Sequence, residues 1–169
     1  MRRNNHYYKL PDPYIPPFPQ SDLQYAASSG LAAGTWPAAD RAILVPVYFP
    51  ANCTLYSLMF VAGNGTGNYD LGFYDQNYGL IVSSGSTAMS AGIKTLTLPE
   101  FRARVGQLYH AALALSSAAG SVVRYLPTSA EEVSPLGVAQ QASAFPLPDP
   151  FVPAKNANSQ IPKFAFGVR

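Results

Sequence analysis

The chain has 169 residues, of which 48% are apolar and only 12% charged, with a net charge of +2. That length supports one domain with a proper core, and the composition excludes a disordered chain, which needs high charge and low hydrophobicity. The net charge is too small to imply nucleic acid, so no direct nucleic-acid role is expected, and the single cysteine excludes an internal disulfide framework or a cysteine-based zinc site.

Residues 1–40 hold six of the sixteen prolines and residues 127–169 hold seven, while residues 41–126 hold only Pro46, Pro50 and Pro99. Proline interrupts both helix interiors and sheet ladders. The distribution predicts an extended N-terminal arm over 1–40, a folded centre over 41–126 and an extended C-terminal arm over 127–169. The chain opens Met-Arg-Arg-Asn-Asn-His, a basic start with no apolar stretch behind it, so no secretory signal is expected. No apolar run reaches the roughly 18 residues a membrane span needs.

Within the centre, Arg41–Phe49 alternates, with Ile43, Val45, Val47 and Phe49 on one face. Asn52–Ala62 alternates too, with Cys53, Leu55, Ser57, Met59 and Val61 on one side and Thr54, Tyr56, Leu58 and Phe60 on the other. Period two with β-branched and aromatic content predicts strands. Gly63–Gly67 is a turn cluster, Asn68–Asp75 a further strand, and Gln76–Gly79 a hairpin turn into Leu80–Ser83. Ile93–Leu98, Gln107–Ser116 and Ser121–Leu126 complete the set, with Pro99–Gly106 read as a charged connection. Short strands at such regular spacing predict an antiparallel β-sandwich, with Val45, Val47, Leu55, Met59, Leu71, Phe73, Leu108 and Leu113 inside. Ser129–Glu132 has the pattern of a capping box for one or two helical turns.

The arms share a repeat. Leu10-Pro11-Asp12-Pro13-Tyr14-Ile15-Pro16 is matched by Leu147-Pro148-Asp149-Pro150-Phe151-Val152-Pro153, identical at five of seven positions. Such segments are stiff and lose little entropy on docking. They are expected to enter similar pockets on other subunits, with Phe18, Phe164 and Phe166 as further anchors. Tyr14 and Phe151 are expected to lie outside the sandwich core, so that replacing either barely moves the domain's melting temperature.

The hairpin Asp70-Leu71-Gly72-Phe73-Tyr74-Asp75 followed by Leu80-Ile81-Val82-Ser83-Ser84-Gly85-Ser86-Thr87 resembles the LGIYD…L…SGS hairpin of jelly-roll-like β-sandwich proteins of tailed bacteriophages. Leu98-Pro99 and Gly106-Gln107-Leu108-Tyr109-His110-Ala111-Ala112-Leu113-Ala114 resemble that family's LPPGxYYLALA strand, and Gly34-Thr35, Arg41 and Val45-Pro46-Val47 its lead-in. Glu100–Val105 is an insertion relative to the family's short turn. The resemblance covers roughly residues 30–126. It implies an all-β, jelly-roll-like virion component without catalysis, a head decoration protein or part of a tail or fibre. Major capsid or other virion proteins and further copies of itself would be the partners, and host cytoplasm the place of assembly.

No nucleophile, nucleotide-binding or metalloprotease motif occurs, and no cofactor is expected. His6 and His110 read as packing residues, and Cys53 as a small buried hydrophobe. Asp70 with Asn64, Gly65 and Asn68 is a thin candidate for a calcium loop. Tyr69, Tyr74 and Tyr78 gather around one hairpin with Asp75, Gln76 and Asn77. Aromatic rings beside amides suit either a protein contact face or a carbohydrate platform in a receptor-recognition component.

Overall fold

The computed structural model describes residues 33–125, 137–155 and 161–168. Among them every regular element is a β-strand, and no helix long and apolar enough to cross a membrane is present. The strands are β1 (Ala33–Thr35), β2 (Arg41–Tyr48), β3 (Cys53–Ala62), β4 (Asn68–Tyr74), β5 (Leu80–Ser83), β6 (Thr87–Ala88) and β7 (Gly92–Ala103). They continue as β8 (Leu108–Leu115), β9 (Ser121–Tyr125), β10 (Ala139–Gln141), β11 (Ala154–Lys155), β12 (Ile161–Pro162) and β13 (Phe164–Val168). All pairings are antiparallel.

Two sheets result. The first runs β1-β9-β3-β13, with β7 also on β3 and β12 on β9; the second runs β11-β10-β2-β8-β4-β5, with β6 on β4. Between them lies one large apolar core, as expected of a β-sandwich. The second sheet follows the alternation read from the sequence. Ile43, Val45 and Val47 of β2, Leu71 and Phe73 of β4, and Tyr109, Ala111, Leu113 and Leu115 of β8 all enter this core. Phe73 stacks on Tyr109 with ring centroids 5.5 Å apart and meets the edges of Phe101 at 5.4 Å and Phe166 at 5.7 Å.

The first sheet departs from simple alternation. The register between β3 and β7 shifts between Leu55 and Ser57. Before the shift Leu55 faces the core; after it Leu58, Phe60 and Ala62 do, while Met59 and Val61 join a separate small cluster with Ala165. An irregularity of this kind moves every later side chain to the opposite face. Met59 is therefore buried, as expected, but on the other side of the sheet. β7 changes phase at the same place, with Leu96 and Leu98 and then Phe101 and Ala103 facing inward. The stretch Pro99–Gly106, expected as a connection, is mostly strand, because β7 continues to Ala103. Leu108 is only half-buried; Tyr109 takes the inward place, since it shares parity with Leu113.

The largest correction concerns the C-terminal arm. Its described residues do not lie apart from the sandwich. Of the described part, β10 pairs with β2, β12 with β9 and β13 with β3. Phe164 and Phe166 are wholly buried in the central core, where Phe166 meets Phe49 edge-on at 5.4 Å. They are core residues rather than anchors for another subunit. β1 and Trp36, ahead of residue 41, belong to the fold as well. The sandwich thus needs strands on both sides of the 41–126 boundary. Leu10, Pro11, Asp12, Pro13, Tyr14, Ile15 and Phe18 of the N-terminal arm, His6 and the capping-box stretch Ser129–Glu132 lie outside the described residues.

Candidate interaction site

The outer face of the second sheet is built from the alternate residues of β2, β4 and β8. Register places Ala42 beside Ala114 and Asp70, Leu44 beside Ala112 and Gly72, and Pro46 beside His110 and Tyr74. Small residues dominate this face, so another segment can approach the backbone closely. That segment is the chain's own. Between β10 and β11, residues 142–153 leave the sheet, cross its outer face to the far side, and return to pair beside the strand they left. This strap contains the second copy of the repeat and forms an apolar cluster separate from the central core, with Ala42, Leu44, Tyr74, Ala112, Ala114, Ala144, Leu147 and Phe151.

Each position of the strap has a distinct partner. Leu147 sits over Gly72, where a Cβ would stand only 2.6 Å from its Cδ1. Glycine is needed there for space, not for backbone freedom. The Leu147 amide donates to Asp70 Oδ2 at 2.9 Å. The Tyr74 hydroxyl donates to the Pro148 carbonyl at 2.7 Å. Asp149 Oδ1 accepts from the Leu80 amide at 3.0 Å. The Phe151 amide donates to the Tyr78 carbonyl at 3.0 Å, and its ring meets Tyr74 edge-on at 5.7 Å. Val152 points away and is 64% exposed, although its amide donates to Gln141 Oε1 at 2.7 Å. The Ala144 amide, donating to the Asp40 carbonyl at 2.6 Å, ties down the near end.

The polar groups under the strap are buried and partnered. Asp70 is fully buried; desolvation pushes its carboxyl above the usual value, while the bonds from Leu147 and Ser84 pull it back. Burial and the charges of Asp70 and Asp149 raise the Tyr74 phenol strongly, so it remains a donor. His110 is held down by desolvation, placing its neutral ring against Tyr78 at 4.9 Å, with Nδ1 3.1 Å from the Asp75 carbonyl. As a neutral ring beside a carbonyl, it donates through Nδ1. Asp75 itself folds the hairpin tip by accepting from the Asn77 and Gly79 amides, and Tyr78 there adopts a φ of 66°.

These positions correct several sequence-based expectations. Leu147 and Phe151 dock on their own domain, and Phe151 is 2% exposed. Tyr69, Tyr74 and Tyr78 form no open face. Tyr69 lies in the central core against Phe60, Tyr74 lies under the strap, and Tyr78 is half-buried on His110. The calcium loop is not assembled: Asp70 is taken up by Leu147 and Ser84, while Asn64 bonds Ala119 and Ser121. Cys53 is half-buried beside an open depression lined by Asn52, Thr54, Arg102 and Arg104, and burial pushes its thiol up, away from the reactive thiolate. Among the described residues no group of three or more histidine, cysteine or acidic side chains gathers at metal-binding distance.

Sequence reading found the LPDP segment but not its receptor. The receptor is three alternate-residue stripes, contributed by strands separated by up to about seventy residues. The signal that was available is the small-residue alternation Ala112 and Ala114 beside Gly72. Compared with known proteins, the chain matches no family model, no curated protein and no solved structure significantly.

Proposed function

We propose that this protein is a non-enzymatic structural subunit of a tailed-bacteriophage virion, and most specifically a capsid decoration protein fastened by its N-terminal arm to capsid or neighbouring subunits. The observation that carries the reading is the placement of the two phage-like sequence motifs. Asp70–Asp75 and Gly106–Ala114 resemble the family in sequence, and they lie as adjacent strands, paired from Tyr69↔Leu115 to Tyr74↔His110. The nested pairings β2 with β8, β3 with β7 and β4 with β6 support jelly-roll-like connectivity in the same reading. A structural role also accounts for the chemistry beneath the strap, where Asp70 and Tyr74 hold main-chain atoms in place. The carbohydrate-binding alternative has lost its aromatic platform at Tyr69 and Tyr74 and is not pursued.

The test is the native particle. Quantitative mass spectrometry of purified virions should find the chain in fixed proportion to the major capsid protein, and cryo-electron microscopy should place its density on the head lattice. Absence from purified virions would overturn the reading, and a few copies confined to the tail would overturn the decoration assignment.

A further inference from the structure

The groove on the second sheet recognises a short sequence by identifiable features. It takes a leucine over Gly72, a carbonyl one residue later facing Tyr74, a carboxylate reaching the Leu80 amide, and an aromatic ring against Tyr74. The residue after the aromatic points to solvent. The chain contains a second segment that meets each requirement in the same order and spacing. Leu10 stands for Leu147, the carbonyl of Pro11 for that of Pro148, Asp12 for Asp149, and Tyr14 for Phe151. Of the two substitutions, Ile15 replaces the exposed Val152, and Tyr14 keeps the aromatic ring that meets Tyr74 while adding a hydroxyl for which Phe151 has no counterpart.

We propose that the groove has a second occupant, the segment Leu10–Pro16 of a neighbouring copy of this chain, which exchanges with the resident strap. Exchange of a near-identical element between copies is a low-cost route to association, because the incoming segment restores the packing and hydrogen bonds that the departing one made. Position in the chain favours a neighbour over the same molecule. The segment precedes β1, which belongs to the first sheet, whereas the groove is on the outer face of the second. The sixteen residues between Pro16 and Ala33 span about 50 Å when extended, and reaching the chain's own groove on the far layer uses up much of that length, whereas a neighbour can present its groove nearer. The resident strap holds an advantage in an isolated chain, since β10 and β11 tether both ends and keep its effective concentration high. Exchange therefore belongs to crowded arrays, where the N-terminal segment is also delivered at high effective concentration. The inference stands without the virion reading.

A photo-crosslinking residue at position 15 tests it, because its counterpart Val152 is exposed and a bulky group there spares the groove. The full-length chain is irradiated at increasing concentration, the products are separated by size, and the linked residues are mapped. The expected result is a covalent dimer joining position 15 to the groove's rim, at β10 or the β4–β5 hairpin of the second copy, where Val152 and Phe151 make their main-chain contacts. Its yield should fall on adding a peptide of residues 8–18. Phe151→Ala, which weakens the resident strap, should raise the yield severalfold. Gly72→Ala, which fills the leucine seat, should abolish it, with circular dichroism confirming that this variant still folds. Crosslinks confined to single chains would overturn the neighbour as the source. Crosslinks that avoid these strands, or a yield indifferent to Phe151→Ala, would overturn the groove.

Discussion

The central core and the strap cluster bury apolar surface on opposite faces of the same sheet, yet they are built differently. The central core joins large rings from both sheets, Phe49, Phe73, Phe101, Tyr109 and Phe166, in edge-on and stacked contact. The strap cluster sets two large residues, Leu147 and Phe151, on a floor of alanine, glycine and leucine and fixes them with main-chain hydrogen bonds. The first is held by shape and volume. The second is held by a few directional contacts, so among the described residues it is expected to open before the sandwich unfolds.

Breaking the central core should have the largest effect. Phe73→Ala leaves a cavity bordered by three other rings and should cost about 3–5 kcal/mol, read as a lower denaturant midpoint for the whole domain. Phe151→Ala should cost less, about 1.5–3 kcal/mol, because its ring meets that of Tyr74 in a small peripheral cluster rather than three rings of the central core. Contrary to the expectation from sequence, it should measurably lower the melting temperature. Limited proteolysis sharpens the contrast: cleavage within 142–153 should precede cleavage of the sandwich in Phe151→Ala. A variant that loses both regions together would show that the strap is not a separate unit.

The polar latches come next. Asp70→Ala leaves the buried Leu147 amide without an acceptor and should cost about 1–3 kcal/mol. Tyr74→Phe removes one donor and should cost about 0.5–1.5 kcal/mol. Hydrogen exchange should place both losses in the strap, with the inner strands unaffected.

The smallest effect is in pH. The folded state holds His110 below its ordinary 6.5. Its contribution is therefore present above that value and lost as pH falls through the folded pKa. Asp70 is held above its ordinary 3.8 and acts in the opposite sense: its contribution is full below that value and lost as pH rises through its folded pKa. Between these limits the two oppose one another. His110→Phe should flatten the loss of stability on acidification below pH 6.5, whereas Asp70→Asn should remove the gain in stability that acidification toward pH 3.8 brings. Denaturant midpoints across that range check both signs.

Much of the second sheet was legible in the chain itself. The alternation of β2, β4 and β8 is local, uninterrupted and strongly apolar on one side, so counting by two finds the inward faces at Ile43, Leu71 and Leu113. β3 was harder because Asn52–Ala62 is apolar on both faces, and the register shift near Tyr56 leaves no mark in composition. The repeat in the two arms was visible as well, but its meaning was not. Proline content correctly marked residues 142–153 as lacking a long strand, and wrongly extended that reading to Phe164–Val168.

What the sequence by itself determined was the all-β class, the positions of most central strands and the existence of two matching LPDP segments. These depend on side-chain period and on proline's fixed φ and missing donor, which act within a few residues. Only the tertiary structure decided that β13 completes the first sheet and that Leu147–Pro153 lies on its own domain. It also assigned Asp70 and Tyr74 to hold that segment. These depend on pairings such as Phe166↔Leu58 and contacts such as Leu147 to Asp70, which join residues far apart in the chain. No local pattern encodes such a partner, because it is selected by the shape and unsatisfied hydrogen bonds of the assembled sheet.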